Sequence, residues 1–510
     1  MKFLTVEQMR DAEQAAAEAE GIPSMALMRR AGVALARVAA QFAGLRNTRK
    51  VVLVAGHGNN GGDACVAARC LHEDGFRVQV LLTCLPERLR GDAYTAWIEM
   101  RMAEVPDCVL ASAGDWDDPA SVAQGLMDYP CVVVDGVLGS GCKGAPRDVA
   151  ERAIRWVNRM RGHALVVSAD LPSGVDGDTG EMPGEAVRAD VTVTFGRPKA
   201  CFREDAVAAR AGHLVVADIG VGDDGVGDGV CGLIALPELQ ARFPSLPWAA
   251  HKGTCGHVCV VGGSSAYPHA PVLAALGALK SGAGRVTLAV PPQSAYAAAA
   301  WAPEVILCPL NAVPERLDTF DALVVGPGLT QAPDAVSLVA LLSVSDRRVV
   351  LDADGLNALA QLRGAGAWSP RDDQQLMLTP HPGEAARLLG CAAEDIQSDR
   401  MGAVRKLADT YQAVAVLKGA GTLVCAPGGK PLINRTGNPG MATGGAGDVL
   451  AGMAAALWAR HDDALHAAAT AVWAHGTAGD LAALAQGPVS LTATTLAQCL
   501  PVALRDISRF

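Results

Sequence analysis

Short, nearly continuous apolar runs alternate with stretches of helical periodicity along most of this chain. In the first half, two amphipathic stretches (about 5–20 and 24–43) precede a first strand at 50–54, Lys50-Val51-Val52-Leu53-Val54. Further runs lie at 78–82, 131–135, 164–168 and 191–195. The second half repeats the style at 257–261, 285–290, 322–325, 349–351 and 413–417. Runs without polar alternation fit strands buried on both faces of a parallel sheet, joined by right-handed helical crossovers. Between the halves, residues 220–229 hold acid and glycine without apolar periodicity, which reads as a linker. The pattern predicts an α/β protein of two three-layer α/β/α domains, 1–222 and 230–510.

Composition agrees with that reading. A chain of 510 residues is too long for one core. Half of it is hydrophobic and only 4% aromatic, as suits helices packed closely on a parallel sheet. A net charge of -10 argues against a nucleic-acid surface. Arg152, Arg155, Arg159 and Arg161 read as the solvated face of one helix. Fourteen cysteines are scattered, often inside apolar runs, and read as free thiols in a reducing cytosol. The first seven residues acquire charge at once, unlike a signal peptide, and no apolar run reaches about 18 residues. The expectation is a cytoplasmic protein with no membrane or nucleic-acid partner, whose exposed helices let it self-associate as a homo-oligomer.

The candidate chemistry follows strands, where ligands gather in such sheets. After 50–54 comes Gly56-His57-Gly58-Asn59-Asn60-Gly61-Gly62-Asp63, a loop predicted to lead into a helix at Ala64. Two more strand ends reach the same edge, Asp135-Gly136-Val137-Leu138-Gly139-Ser140-Gly141 and Asp170-Leu171-Pro172-Ser173-Gly174-Val175-Asp176. A lone strand-end Asp usually caps the next turn; two beside an Asn-Gly loop point to ligand chemistry. Near the carboxyl end, Gly437 to Asp448 is a run of small residues ending on an acid at a helix start. Glycine amides and the helix dipole make that an anion site, with Asp448 placed to take a proton from an attacking hydroxyl. Leu417-Lys418-Gly419-Ala420-Gly421-Thr422 upstream reads as a second nucleotide-contacting loop.

These motifs resemble two families in tandem. The first three look like the Rossmann-like epimerase domain of the NAD(P)H-hydrate repair enzymes. The second half looks like their ADP-dependent dehydratase domain, with a ribokinase-like fold, and the resemblance covers nearly the whole chain. It implies that the first domain interconverts the R and S epimers of hydrated NADH and NADPH (NADHX and NADPHX). The second then dehydrates the S epimer with ADP as co-substrate and Mg2+ present, giving AMP, phosphate and repaired cofactor.

Residue by residue, the resemblance makes Asn59, Asn60, Gly61, Gly62 and Asp63 a substrate loop. Gly139, Ser140, Gly141, Cys142, Lys143, Gly144 and Ala145 become a phosphate loop. Asn60, Asp135 and Ser173 become ligands of K+, and Asp170 the proton-shuttling acid. In the second domain Ala270, Gly328, His381 and Asp448 contact the hydrate, while Lys418, Gly419, Ala420, Gly421, Thr422 and Gly447 contact the nucleotide. Asp448 is the implied base, and Gly445, Ala446 and Gly447 offer amides to the developing charge. Departures from the family pattern are Arg29, Ala64, Gly136 and His269, the last putting the local backbone in question. Two rivals remain open: a ribokinase-like small-molecule kinase, and an amino-terminal scaffold that binds RNA.

Overall fold

The computed structural model describes residues 1–117, 131–222, 231–371 and 374–508. The chain separates into two compact units, Met1–Gly229 and Val230–Phe510. Among its described residues unit one holds seven strands: β1 (Lys50–Ala55), β2 (Arg77–Leu82), β3 (Asp107–Val109), β4 (Cys131–Gly136), β5 (Ala164–Ala169), β6 (Val191–Phe195) and β7 (His213–Ala217). They form one parallel sheet in the order β3-β2-β1-β4-β5-β6-β7. β1, with fully buried Leu53 and Val54, lies at the point where strand order reverses. That switch point opens the crevice into which the ends of β1, β4 and β5 all lead. On one face Val52, Val133 and Val166 pack against Trp116 and Trp156, whose rings meet edge to face at 5.7 Å.

The five expected strands are all present, and the two edge strands were not anticipated. β3 is three residues long and only partly buried, and β7 alternates buried with half-buried positions. An edge strand has no continuous apolar run to reveal it. The helix expected at Ala64 begins five residues earlier, spanning Asn59–Glu73. Asn59, Asn60, Gly61, Gly62 and Asp63 are therefore its first turn and not a loop. Weak helix formers fold here because the glycines allow contact: a side chain on Gly61 would strike the Gly56 backbone, and one on Gly62 would meet Met28. Arg161 caps the helix Asp148–Met160 from outside it, while Arg152, Arg155 and Arg159 lie within.

Unit two holds β8 (Gly232–Leu233), β9 (His257–Val261), β10 (Arg285–Ala289), β11 (Ile306–Cys308), β12 (Ala322–Val325), β13 (Arg348–Leu351), β14 (Gln375–Leu378), β15 (Val414–Leu417), β16 (Leu423–Cys425) and β17 (Leu432–Ile433). Their order is β11-β10-β9-β12-β13-β14-β15-β16-β17-β8. The pairings from β11 to β15 are parallel; β16 runs antiparallel to both β15 and β17, which the sequence reading did not anticipate.

Helix Ala446–Arg460 is buried nearly all round and packs on helix Ala270–Lys280. The two approach closely through paired glycines: a Cβ on Gly277 would strike Val449 O, and one on Gly452 would strike Ala274 O. This seam fixes the helix that carries Asp448. Gly452→Ala forces backbone against backbone, and an overpacking loss of about 1–3 kcal/mol is expected. Thermal unfolding checks it; an unchanged Tm would show that the seam yields.

Among the described residues no helix is long and apolar enough to cross a membrane, and the described cysteines are all free.

Candidate functional site

In unit one, the ends of β1, β4 and β5 are tied together by polar side chains. Asp135 is fully buried; its Oδ1 accepts from Ser173 Oγ at 2.5 Å and Val137 N at 3.3 Å. Its Oδ2 accepts from Ser168 Oγ at 2.8 Å and Ser173 N at 3.0 Å. Burial pushes the Asp135 carboxyl up, and the donors from Ser173 oppose the rise. Asn60 Nδ2 donates to Leu138 O at 2.9 Å and Ala169 O at 3.0 Å, and Leu138 N donates to Ser173 Oγ at 2.8 Å. Asn60, Asp135 and Ser173 thus converge around Leu138.

The stretch 139–145 runs outward from that knot. Gly139 packs against Asn60, while Gly141, Lys143, Gly144 and Ala145 are exposed, with Ser140 and Cys142 half-buried. Lys143 Nζ bridges Asp176 (3.2 Å) and Asp178 (3.1 Å). Asp170 directly follows β5 in a left-handed conformation, φ 61°, that Asp tolerates better than most residues. Its Oδ1 accepts from buried Lys199 Nζ, and from Thr194 Oγ1 and Phe195 N at 3.3 Å each, so Oδ2 is the oxygen left for a ligand. Asp63 stands well above the usual carboxylate range, raised by burial and then by the charges of Asp170 and Glu13. Burial likewise raises Glu13, against the pull of Lys199.

In unit two, helix Ala446–Arg460 starts from Gly445 at φ 89°, a left-handed cap that glycine adopts without strain. His475 Nε2 lies 2.9 Å from Ala446 O; burial drives this imidazole down to about 4, so it is a neutral brace for the helix start. Gly447 lies against the Lys418–Asp352 pair: a Cβ there would stand 3.2 Å from Lys418 Nζ and 3.8 Å from Asp352 Oδ2. Lys418 pairs with Asp352 Oδ1 at 2.6 Å and reaches Glu384 Oε2 at 3.9 Å. Thr379 Oγ1 also donates to Asp352 Oδ1, at 2.9 Å. The residue after Asp352, Ala353, has φ 48° and ψ -118°, a strained backbone of the sort that gathers at working sites.

Asp448 occupies the first turn of this helix. Burial first, then the charge of Asp352, raises its carboxyl to about 8, with Lys418 pulling the other way. An unfolded Asp releases its proton near pH 4. The folded chain keeps that proton, so this group's contribution to stability is full below about pH 4 and lost as pH rises to about 8. Asp448→Asn is therefore expected to match the wild-type Tm near pH 4 and exceed it at pH 9; equal melting at both would contradict the buried-carboxyl account.

The remaining expected contacts lie around this point in the fold. Ala270 opens helix Ala270–Lys280, and Gly328 packs beside it against Tyr267. His269 adopts φ -97°, so no glycine is required there and the doubt over its backbone falls away. His381 caps helix Pro382–Leu389, its Nδ1 accepting from Gly383 N at 3.0 Å, and stays half exposed. Gly419 and Ala420 are exposed at the turn between β15 and β16, with Gly421 and Thr422 half-buried.

Sequence reasoning missed Lys199, Glu13 and Arg400. Lys199 lies beyond the end of β6, and a lone lysine in sequence gives no sign of the carboxylate it faces. Glu13 reads from sequence as one more solvated helix charge. Arg400 Nη2 braces Leu417 O (3.4 Å) and Gly421 O (3.3 Å), a contact visible only in the fold.

Comparison with known proteins matches two family models in tandem along the chain. A family model described as NAD(P)H-hydrate dehydratase matches residues 258–502, and one described as YjeF-related protein N-terminus matches 24–201. The bifunctional NAD(P)H-hydrate repair enzyme of Moorella thermoacetica is 38% identical, covering 99% of this chain and 97% of its own. That of Coxiella burnetii is 36% identical, covering 96% of each. The ADP/ATP-dependent NAD(P)H-hydrate dehydratase from Bacillus subtilis, co-crystallized with ATP/Mg2+, matches with a TM-score of 0.51 at 30% identity, over 54% of this chain and 99% of that one. A ribokinase-like superfamily protein from Enterococcus faecalis shares the fold, with a TM-score of 0.50 at 24% identity, over 56% of this chain and 100% of its own. With both family models matched in tandem and relatives aligned end to end, this chain belongs to the bifunctional NAD(P)H-hydrate repair enzymes.

Proposed function

We propose that this protein repairs hydrated NADH and NADPH in the cytoplasm, with residues 1–222 interconverting the R and S hydrates and residues 230–510 dehydrating the S epimer with ADP. The observation that carries the dehydratase half is the buried carboxyl of Asp448 beside a glycine-capped helix start, with Lys418 against Gly447. A ring hydroxyl is a poor leaving group until it is phosphorylated. Asp448 takes the hydroxyl proton as its oxygen attacks the terminal phosphoryl of ADP, and AMP departs. The amides of Gly445, Ala446 and Gly447 and the Lys418 ammonium stabilise the charge that develops. Phosphate then leaves the ring with a proton from the adjacent carbon, and the double bond returns.

The carboxylates of Asp352 and Glu384 are hard oxygen donors that would hold Mg2+, which when bound would offset phosphate charge. In the epimerase half, the side-chain oxygens of Asn60, Asp135 and Ser173 are likewise hard donors that would hold K+. Asn59 to Asp63 and Gly139 to Ala145 hold the hydrate, and Asp170 moves the proton. Ala270, Gly328 and His381 seat it in the second unit, with Lys418 to Thr422 and Gly447 on the nucleotide.

Incubating the chain with S hydrate, Mg2+ and ADP is expected to release AMP and free phosphate in equal amounts as reduced-nicotinamide absorbance recovers. A stable phosphorylated product without recovered absorbance would instead establish a ribokinase-like kinase.

A further inference from the structure

The first helix, Val6–Glu20, lies ahead of residues 24–201, the part matched by the amino-terminal family model, and carries none of the site residues expected from the sequence. It is nevertheless stitched to that site along its length. Leu4 N donates to Pro198 O at 2.9 Å and Ala200 N donates to Leu4 O at 2.7 Å, so the chain before the helix grips both sides of Lys199. Val6 N donates to Asp178 Oδ1 at 2.7 Å, on a carboxylate that also holds Lys143. Side chains of Val6 and Met9 fill the space beside Gly177 and Gly196. One turn on, the Arg10 guanidinium lies 3.6 Å from where a Cβ on Gly141 would stand, against the 139–145 loop. Glu13, three residues after Arg10 and so on the same helix face, feels the charges of Lys199, Asp170 and Arg10 and itself acts on Asp63.

We propose that this helix is a wall of the epimerase site, Arg10 binding the nucleotide phosphate held by loop 139–145 and Glu13 serving as a second proton-transferring carboxyl beside Asp170. The inference rests on the epimerase reading and deepens it. One sugar separates a nicotinamide ring from its phosphate, a span that two long side chains one helical turn apart can serve together. Lys199 is the one buried cation in this group, and it bonds to Asp170. Burial raises the Glu13 carboxyl, which suits it to give a proton, while Asp170 keeps Oδ2 clear of the bonds to Lys199, Thr194 and Phe195 and can take one.

The chemistry balances without a co-reactant. The hydrated carbon bears both a hydroxyl and the ring nitrogen. Asp170 takes the hydroxyl proton, a carbonyl forms, and the carbon–nitrogen bond breaks with its electron pair going to nitrogen, which takes a proton from Glu13. The open aldehyde turns its other face to the nitrogen. Glu13 recovers its proton as nitrogen attacks, and Asp170 returns the other to oxygen.

The test uses the full chain and pure R hydrate without ADP, following the epimer ratio by chromatography. Glu13→Gln is expected to lower kcat about 100-fold with KM within about twofold, and Glu13→Asp to restore part of it. The wild-type rate should fall at alkaline pH as Glu13 loses its proton, and that limb should be missing from Glu13→Gln. Arg10→Gln should raise KM about tenfold with kcat little changed, the loss of one phosphate contact. Wild-type kcat and KM in both variants would overturn the inference alone. So would a kcat loss in Glu13→Gln that Glu13→Asp does not relieve and that comes with earlier unfolding, since the helix would then be merely structural. A wild-type chain inert toward R hydrate would overturn the epimerase reading itself.

Discussion

Asp448→Asn is expected to lower kcat for ADP-driven dehydration of the S hydrate by about 1,000-fold or more, within the range general-base removal produces. Asparagine keeps the shape and can still accept a hydrogen bond, but it cannot carry away the hydroxyl proton. A carboxyl near 8 is well matched to that task close to neutral pH, and for the same reason the free protein holds it largely protonated. Wild-type kcat/KM should therefore climb with pH toward about 8, and Asp448→Asn should lack that climb. Epimerisation continues in the variant because the other unit performs it: R and S hydrates equilibrate and neither is consumed. Phosphate release and epimer ratio, read from one reaction, check both halves. Retained dehydration would remove Asp448 from the chemistry.

The second large effect is on stereochemistry. Asp170→Asn is expected to stop enzymatic epimerisation, so that an equilibrated mixture with ADP loses its S portion promptly while R hydrate persists to the slow limit of spontaneous interconversion. The substitution also weakens the anionic partner of Lys199, a cation only 2% exposed. An unpaired buried charge costs about 3–5 kcal/mol, so lower stability of unit one is expected alongside lost activity. The double variant Asp170→Asn, Lys199→Met separates the two effects: stability should return and epimerisation should not. Complete consumption of both epimers by either variant would dismiss Asp170 from the mechanism.

The central strands were legible because burial on both faces makes them continuously apolar; β3 and β7, at the sheet edges, carry no such signature. The helix start at Gly447 and Asp448 was legible because a glycine run ending on an acid and passing into an apolar periodic stretch marks one. The first turn at Asn59 was not, since Asn and Gly favour loops until Gly56 and Met28 supply the packing that makes them helical. Lys199 and Glu13 stayed hidden for a different reason. A charged residue announces nothing in sequence about the buried carboxylate it will face, and only the fold joins residues 13, 63, 170 and 199.

The most direct measurement is a crystal structure of Asp448→Asn with ADP, Mg2+ and S hydrate bound. The β-phosphate is expected over the amides of Gly445, Ala446 and Gly447, with the ring hydroxyl between that phosphorus and the side chain at 448. ADP bound elsewhere, or a hydroxyl turned away from position 448, would contradict the account.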